Sequence, residues 1–289
     1  MARSIYIASP NAGTGKSTVA LGLVSCLTKV VAKVGVFRPF VESREGDAFL
    51  SLLLNRAGST TPAEQCVGAT WDEFHADPEE ALARIVDAYR AMAREHDVVI
   101  IDGSDFTDVA GNPELALNAR VAANIGVPVL LVVSGQNDVE DVVASVEVSM
   151  AEIADNHART VAVVANKCLP ETRQAVGEAL TAIEGITSTT LPEVPLLAAP
   201  VVREVLDAVE GTLIAGDETL LDREAESVLV CAMDVSHVLE RLTAGQLAIV
   251  PADRSAMLIS LMAAQASSSF PILSGLILNG GFEVAPHAL

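Results

Sequence analysis

The feature that most constrains the fold is a glycine-rich turn between an apolar run and a helical pattern. Residues 5–9 read IYIAS, which is typical of a short buried strand, and residues 10–15 read PNAGTG. Apolar side chains from Ala20 to Val34 then recur at i, i+3 and i+4, which predicts an amphipathic helix with Gly35 as its left-handed C-terminal cap. The strand VGVFRPF follows directly, so this opening segment predicts a βαβ unit with a right-handed crossover.

The same turn has the chemistry of a phosphate-binding loop. Glycine lets the backbone approach an anion, and the amides that begin a helix point toward it. We expect Lys16 to reach the β- and γ-phosphates and the Ser17 hydroxyl to ligate Mg²⁺. The full pattern G-x-x-x-x-G-K-[ST] asks for glycine where this chain has Pro10, so an ordinary glycine turn stays open as the alternative. The predicted phosphate-binding residues of this loop are Gly13, Thr14, Gly15, Lys16, Ser17 and Thr18.

Three further positions are candidates for a magnesium–nucleotide site. Mg²⁺ prefers oxygen ligands, and Asp102 ends the strand-like run VVIIDG while Asp47 follows the second strand in EGDAFL. With Ser17, these two carboxylates are the predicted Mg²⁺ ligands; the alternative for each is a helix N-cap or a solvated loop acid. Asn166, which closes TVAVVANK, is predicted to touch a nucleotide base, or else to form a turn. Arg38 is placed to touch an anionic substrate, or is an ordinary ion-paired arginine.

The hydrophobic pattern predicts an α/β protein with two domains. Apolar runs without polar alternation are separated by helical segments, one of which begins at Asp77-Pro78. This pattern indicates a doubly wound, mostly parallel sheet over residues 1–200. The glycine-rich loop after its first strand makes the predicted domain one of P-loop NTPase type. Residues 201–225 predict a linker with one short helix. Residues 226–289 predict a small α/β unit that ends just past a strand, as a truncated domain would.

Composition excludes several classes of partner. The 289 residues include 38 Asp and Glu against 18 Lys and Arg, and the formal net charge of -20 opposes binding to nucleic acid or an anionic membrane. A small anion stays compatible, because backbone dipoles act locally. The longest apolar runs, such as residues 127–133, are shorter than the ~18 residues of a membrane span. Four dispersed cysteines without a C-x-x-C pair fit a reducing cytoplasm.

The order of motifs resembles a known pair of modules. SPNAGTGKST, VFRPF, GDA, VVIIDG, VPVLLVV, VANK and LPEVPLLAAP occur in the order seen in the dethiobiotin-synthetase-like P-loop domain. PADRSAMLISLMA and SGLILNGGFE then resemble a DRTGG module, with Asp253-Arg254 as its first half and Asn279-Gly280-Gly281 in place of Thr-Gly-Gly. Joined in this order, the modules are similar to the N-terminal half of the long-form bacterial phosphate acetyltransferase family.

The resemblance implies a regulatory region of an acyltransferase. That family forms acetyl phosphate from acetyl-CoA and phosphate in a separate C-terminal domain, so it implies no catalytic residue here and no acetyl transfer by this chain alone. The expected ligand is Mg-ATP, a related nucleotide or another small effector. Acetyl-CoA would act only through that other domain. The expected protein partners are the C-terminal catalytic domain of the same polypeptide and further copies in a homo-oligomer.

Departures from the related motifs leave two alternatives open. Dethiobiotin synthetases have a lysine where this chain has Arg38, and a Ser-Gly pair where it has residues 41–43, VES. Arginine does not imitate a compact ammonium group, so these departures count against an ATP-dependent ligase of that type. Such a ligase is therefore the second interpretation. Asn11 stands where partition ATPases carry their signature lysine. A structural scaffold with a vestigial phosphate loop is the third interpretation, because Pro10 leaves the motif incomplete.

Overall fold

The chain divides into two compact units, Met1–Glu193 and Val194–Leu289. A computed structural model describes residues 3–104 and 114–283. Over these ranges, no helix is both long and apolar enough to cross a membrane.

The first unit is built on a parallel β-sheet. Its strands, within the described residues, are β1 Arg3–Ala8, β2 Val34–Val41, β3 Val67–Thr70, β4 Val98–Asp102, β5 Val129–Ser134, β6 Thr160–Cys168 and β7 Thr187–Pro192. They form a 7-stranded sheet in the order β3-β2-β4-β1-β5-β6-β7. Each neighbouring pair is parallel. Strands β2 to β4 lie on one side of β1 and strands β5 to β7 lie on the other. The direction in which strands are added thus reverses at β1, which is a topological switch point.

Helices connect these strands. They are α1 Lys16–Leu27, α2 Ala48–Ala57, α3 Trp71–Ala76, α4 Pro78–Glu95, α5 Glu114–Ile125, α6 Val139–Asp155 and α7 Arg173–Thr181, with a short 3-10 helix at Ala63–Cys66. Every residue of β2 is buried, so both faces of this strand are covered. Parallel strands joined by helical crossovers confirm the predicted doubly wound, mostly parallel α/β fold.

The first helix is shorter than the sequence pattern predicts. It ends at Leu27, Val30 is 80% exposed, and the next strand begins at Val34. Residues 28–31, TKVV, contain three β-branched side chains, whose restricted rotamers disfavour helix. Gly35 lies inside β2 rather than capping the helix. A Cβ there would lie 2.9 Å from Cγ of His96, so this position is glycine because an imidazole ring packs against it.

The start of α4 is confirmed. The Asp77 side chain accepts hydrogen bonds from the backbone N–H groups of Glu79 and Glu80, and Pro78 occupies the first turn. The cap satisfies amides that the helix itself leaves without partners. On the inner face of this helix, Ile85 and Tyr89 are buried.

The second unit has a smaller parallel sheet. Its elements are α8 Val202–Ala208, β8 Ser227–Val230, α9 Val235–Leu239, β9 Gln246–Pro251, α10 Ser255–Gln265 and β10 Gly275–Asn279, with 3-10 helices at Pro195–Leu197 and Glu218–Asp222. The strands form a 3-stranded sheet in the order β10-β9-β8. The predicted small α/β unit is thus confirmed. The predicted boundaries at residues 200 and 225 stay predictions; residues 201–225 hold α8 and the second of these 3-10 helices.

The cap of α4 gives the first prediction. Asp77→Ala removes the acceptor of two amide hydrogen bonds, so the first unit should lose about 1 kcal/mol of unfolding free energy. Trp71, the only tryptophan in the chain, stacks on Phe40 at 4.8 Å and reports urea unfolding of this unit by fluorescence. Asp87→Ala, at an exposed position of the same helix, should change little. Equal losses in the two variants would contradict the capping role.

Candidate functional site

The glycine-rich loop lies at the carboxyl edge of the central strands. β1 ends at Ala8 and α1 begins at Lys16, so residues 9–15 cross this edge. In the strand register Ile7 is opposite Asp102, and the N–H of Gly103 donates to the carbonyl of Ile7 at 3.0 Å. The predicted phosphate loop and the predicted acid are therefore neighbours, at the switch point where doubly wound sheets bind ligands.

The loop requires glycine at two positions. Gly13 and Gly15 have φ of 77° and 81°, a left-handed conformation that other residues adopt at a cost. A Cβ on Gly15 would also collide with the side-chain amide of Asn166. Gly15 is the N-terminal cap position of α1, where no side-chain cap bond forms among the described residues and the first turn carries no acid. The amino end of this helix is thus suited to an anion from outside the chain.

The end of β6 holds the loop from one side. The Asn166 side-chain amide donates to the carbonyl of Thr14 at 2.8 Å, and Lys167 Nζ donates to the carbonyl of Gly13, also at 2.8 Å. Asn166 and Thr14 are both buried. The contact of Asn166 in this structure is therefore with the loop backbone, and its contact with a base stays a prediction.

Lys16 forms a buried ion pair. Its Nζ lies 2.7 Å from Oδ1 of Asp102, and the two side chains are 1% and 0% exposed. The ammonium group also donates to the carbonyl of Gly103. Removing two charges from water is costly, so these contacts must compensate for a large desolvation penalty. The side chain of Lys16, which we predict to reach phosphates, thus lies against the end of β4, next to the loop.

Arg38 connects both predicted metal carboxylates. Phe37 of β2 pairs with Ile101 of β4, and the next residue along each strand is Arg38 and Asp102. Arg38 Nε lies 3.4 Å from Oδ2 of Asp102, and its Nη1 forms an ion pair with Oδ2 of Asp47. The other oxygen of Asp47 accepts from the N–H of Leu50 at 2.8 Å and caps α2.

The donor set does not fit a resident Mg²⁺ ion as it is arranged. Asp102 and Asp47 already contact Lys16 and Arg38 through their carboxylate oxygens. Across residues 3–104 and 114–283, no group of three His, Cys, Asp or Glu side chains is arranged to hold a metal. Ser17, partly buried in the first turn of α1, offers only a hydroxyl. The assignment of Ser17, Asp47 and Asp102 as metal ligands stays a prediction.

A buried polar network next to Asp102 was not found by sequence reasoning. Tyr6 Oη donates to Oδ1 of Asn118 at 2.6 Å, and the N–H of Ser104 donates to the same oxygen at 3.0 Å. Burial, followed by the negative charges of Asp102 and Glu114, raises the pKa of Tyr6 well above its ordinary value. The neutral phenol is therefore a fixed donor. The only sequence signal for this polar network is Asn118, a polar residue among the apolar positions of α5.

In the second unit, the two halves of the DRTGG-like motif lie together. Asp253-Arg254 follows β9 and Gly280-Gly281 follows β10, and the N–H of Ala252 donates to the carbonyl of Asn279 at 2.9 Å. Arg254 Nη1 donates to the carbonyls of residues 231 and 232, both at 3.0 Å, just past β8. The motif thus lies at the carboxyl ends of all three strands.

Comparison with known families agrees with this two-part organisation. A family model described as an AAA domain matches residues 3–205, and a DRTGG domain model matches residues 204–289. The expected order of modules, and the resemblance to the N-terminal region of phosphate acetyltransferases, are confirmed.

The similar curated proteins are much longer than this chain. Phosphate acetyltransferase from Nitratidesulfovibrio vulgaris is 27% identical over 99% of this chain and 43% of its own length. The protein of that name from Synechocystis is 25% identical over 99% of this chain and 43% of its own length. Among solved structures, the septum site-determining protein MinD from Pyrococcus horikoshii, complexed with Mg-ADP, has a TM-score of 0.43 and 19% identity over 68% of this chain and 84% of its own. The chain spans less than half the length of these curated relatives.

The buried ion pair gives the second prediction. Asp102→Asn keeps the shape of the side chain but leaves the ammonium of Lys16 without its counter-charge, which should destabilise the first unit by about 3–5 kcal/mol. Urea unfolding followed by Trp71 fluorescence measures the loss. Asp87→Asn, at an exposed position, is the matched control and should change stability little. A loss below about 1 kcal/mol, the range of exposed pairs, would show that the pair is not buried in solution.

Proposed function

The chain belongs to the AAA-domain family that matches residues 3–205, here followed by a DRTGG domain, and from this premise we propose that it is the nucleotide-binding regulatory region of a phosphate acetyltransferase. The ligand is a nucleoside di- or triphosphate held at residues 13–18. The curated relatives of that name, which this chain matches over 99% of its length, support the assignment.

The observation that carries the proposal is the loop with Lys16 behind it. Two left-handed glycines and the uncapped amino end of α1 present backbone dipoles to the same edge of the sheet. Because such dipoles act over a few ångströms, they can attract an anion even in a chain with a formal net charge of -20. A bound phosphate would take the place of the Gly103 carbonyl on Lys16 Nζ, exchanging a neutral acceptor for a charged one.

Acetyl transfer is assigned to a region outside this chain. The chain spans 43% of the length of the phosphate acetyltransferases it matches. The three buried thiols are also poor nucleophiles: burial raises the pKa of Cys66 to about 11 and raises the pKa of Cys168 and Cys231 above their ordinary value. We therefore assign acetyl-CoA, and contact with a catalytic domain and with further copies of the polypeptide, to the longer protein.

The position of Arg38 argues against the ligase alternative. A dethiobiotin-synthetase type of reaction needs the residue at this position to contact a substrate. Here the guanidinium is 8% exposed and paired with Asp47 and Asp102. The charge of this guanidinium is thus engaged by two carboxylates of the protein itself, which favours a binding function over turnover.

The third prediction concerns ligand binding. ATP at 100 times its Kd should stabilise the first unit by about 2.7 kcal/mol, because it binds the native state only. Lys16→Ala should remove this ligand-dependent gain, whatever the stability of the unliganded variant. The control Lys29→Ala, at an exposed position, should keep it. Thermal unfolding with and without ATP is the measurement. An equal gain in Lys16→Ala, or none in the unaltered chain, would leave the vestigial scaffold as the better interpretation.

The fourth prediction concerns acetyl transfer. The purified chain, given acetyl-CoA and phosphate, should release no CoA above the rate of a protein-free blank. A full-length phosphate acetyltransferase, assayed in parallel for thiol release, is the positive control. Acetyl phosphate formed by this chain would place a catalytic site within it and refute the assignment of a purely regulatory role.

A further inference from the structure

One guanidinium group stands between the two carboxylates that the sequence predicts as metal ligands. Arg38 contacts Asp47 through Nη1 and Asp102 through Nε, the latter at 3.4 Å. The two aspartates come from different elements, the N-terminal cap of α2 and the end of β4. A divalent cation shared by these carboxylates would therefore have to displace a largely buried arginine.

The charges of this cluster already balance. Asp47 and Asp102 carry two negative charges, and Lys16 and Arg38 carry two positive charges. Each of the two carboxylates already has a cationic partner within the cluster. In the absence of a bound polyphosphate, a divalent ion added to these four side chains would bring two uncompensated charges into a buried environment, which is strongly unfavourable.

Arg38 is also held from several directions. The register of β2 against β4 fixes its backbone beside Asp102, and its Cζ lies 5.8 Å from the ring centroid of Phe49. A planar guanidinium donates in a fixed fork, which suits two carboxylates better than a lysine ammonium would. It is thus a positioned structural cation rather than a mobile surface side chain.

We propose that Arg38 replaces the divalent cation of this site, so that the loop binds the free polyphosphate anion without a metal held by Asp47 and Asp102. This proposal rests on the proposed function, because it concerns the ligand of the same loop. It narrows the ligand class to a nucleotide that binds equally well without Mg²⁺. The positive charge that faces its phosphates then comes from Lys16 and the loop amides.

The first arm of the test uses Mn²⁺ alone, followed by electron paramagnetic resonance, and needs no nucleotide. The unaltered chain should bind Mn²⁺ no better than Arg90→Gln, a control at an exposed position. Arg38→Gln removes the cationic partner of Asp47 and one of the two cationic partners of Asp102. It should therefore bind Mn²⁺ at least about tenfold more tightly, a change of about 1.4 kcal/mol. Tight binding of Mn²⁺ by the unaltered chain, lost in Asp47→Asn, would overturn the proposal. Arg38→Gln with no gain, and a native thermal transition, would also overturn it.

The second arm is calorimetric titration with ATP in EDTA and in Mg²⁺. The unaltered chain should give Kd values within about threefold of each other, less than 1 kcal/mol apart. This comparison uses only the unaltered chain, so it still tests the proposal if Arg38→Gln fails to fold. Binding that requires Mg²⁺ would overturn the role of Arg38 and leave the proposed nucleotide function intact. No binding of ATP in either buffer would overturn the proposed function itself, and with it this inference.

Discussion

The buried pair of Lys16 and Asp102 is the interaction on which the rest of the structure depends. It joins the first residue of α1 to the last residue of β4, across a sheet edge at which both side chains are almost completely excluded from solvent. The buried ammonium of Lys16 would be strongly unfavourable there without this carboxylate. The pair therefore ties the amino end of α1 to the end of β4, and with it the loop that precedes the helix. The stability of the fold and the shape of the site have one physical origin.

The same pair sets the electrostatics of the site. The chain as a whole is strongly acidic, yet the charges of Lys16 and Arg38 are balanced by Asp102 and Asp47, which leaves the loop amides to set the local potential. Distant surface carboxylates are screened over about 10 Å at ordinary salt concentrations, whereas buried charges and backbone dipoles are not. A small anion at the loop thus experiences its immediate surroundings rather than the net charge. The proposed phosphate site is therefore compatible with the acidic composition of the chain.

Much of this arrangement could be predicted from the sequence, and the remainder depends on contacts between distant segments. The apolar runs predicted the parallel sheet, and the GKST segment after β1 predicted the loop at its edge. The end of α1 at Leu27 could not be predicted from spacing, because the apolar period continues to Val34 while three β-branched residues stop the helix. The pairing of Arg38 with Asp47 and Asp102 follows from the register of β2 on β4. The spacing of residues along the sequence does not specify that register. For the same reason the hydrogen bond from Asn166 to the loop was not foreseen.

The central claim is that the backbone of residues 13–18, with Lys16 below it, holds a polyphosphate. A crystal structure of the chain grown with ATP tests this most directly. Our account predicts phosphate density over the amides of Gly13 to Thr18, with Lys16 Nζ in contact with a phosphate oxygen and the ion pair to Asp102 preserved. Nucleotide bound elsewhere, or a loop unchanged and empty at saturating ATP, would contradict it.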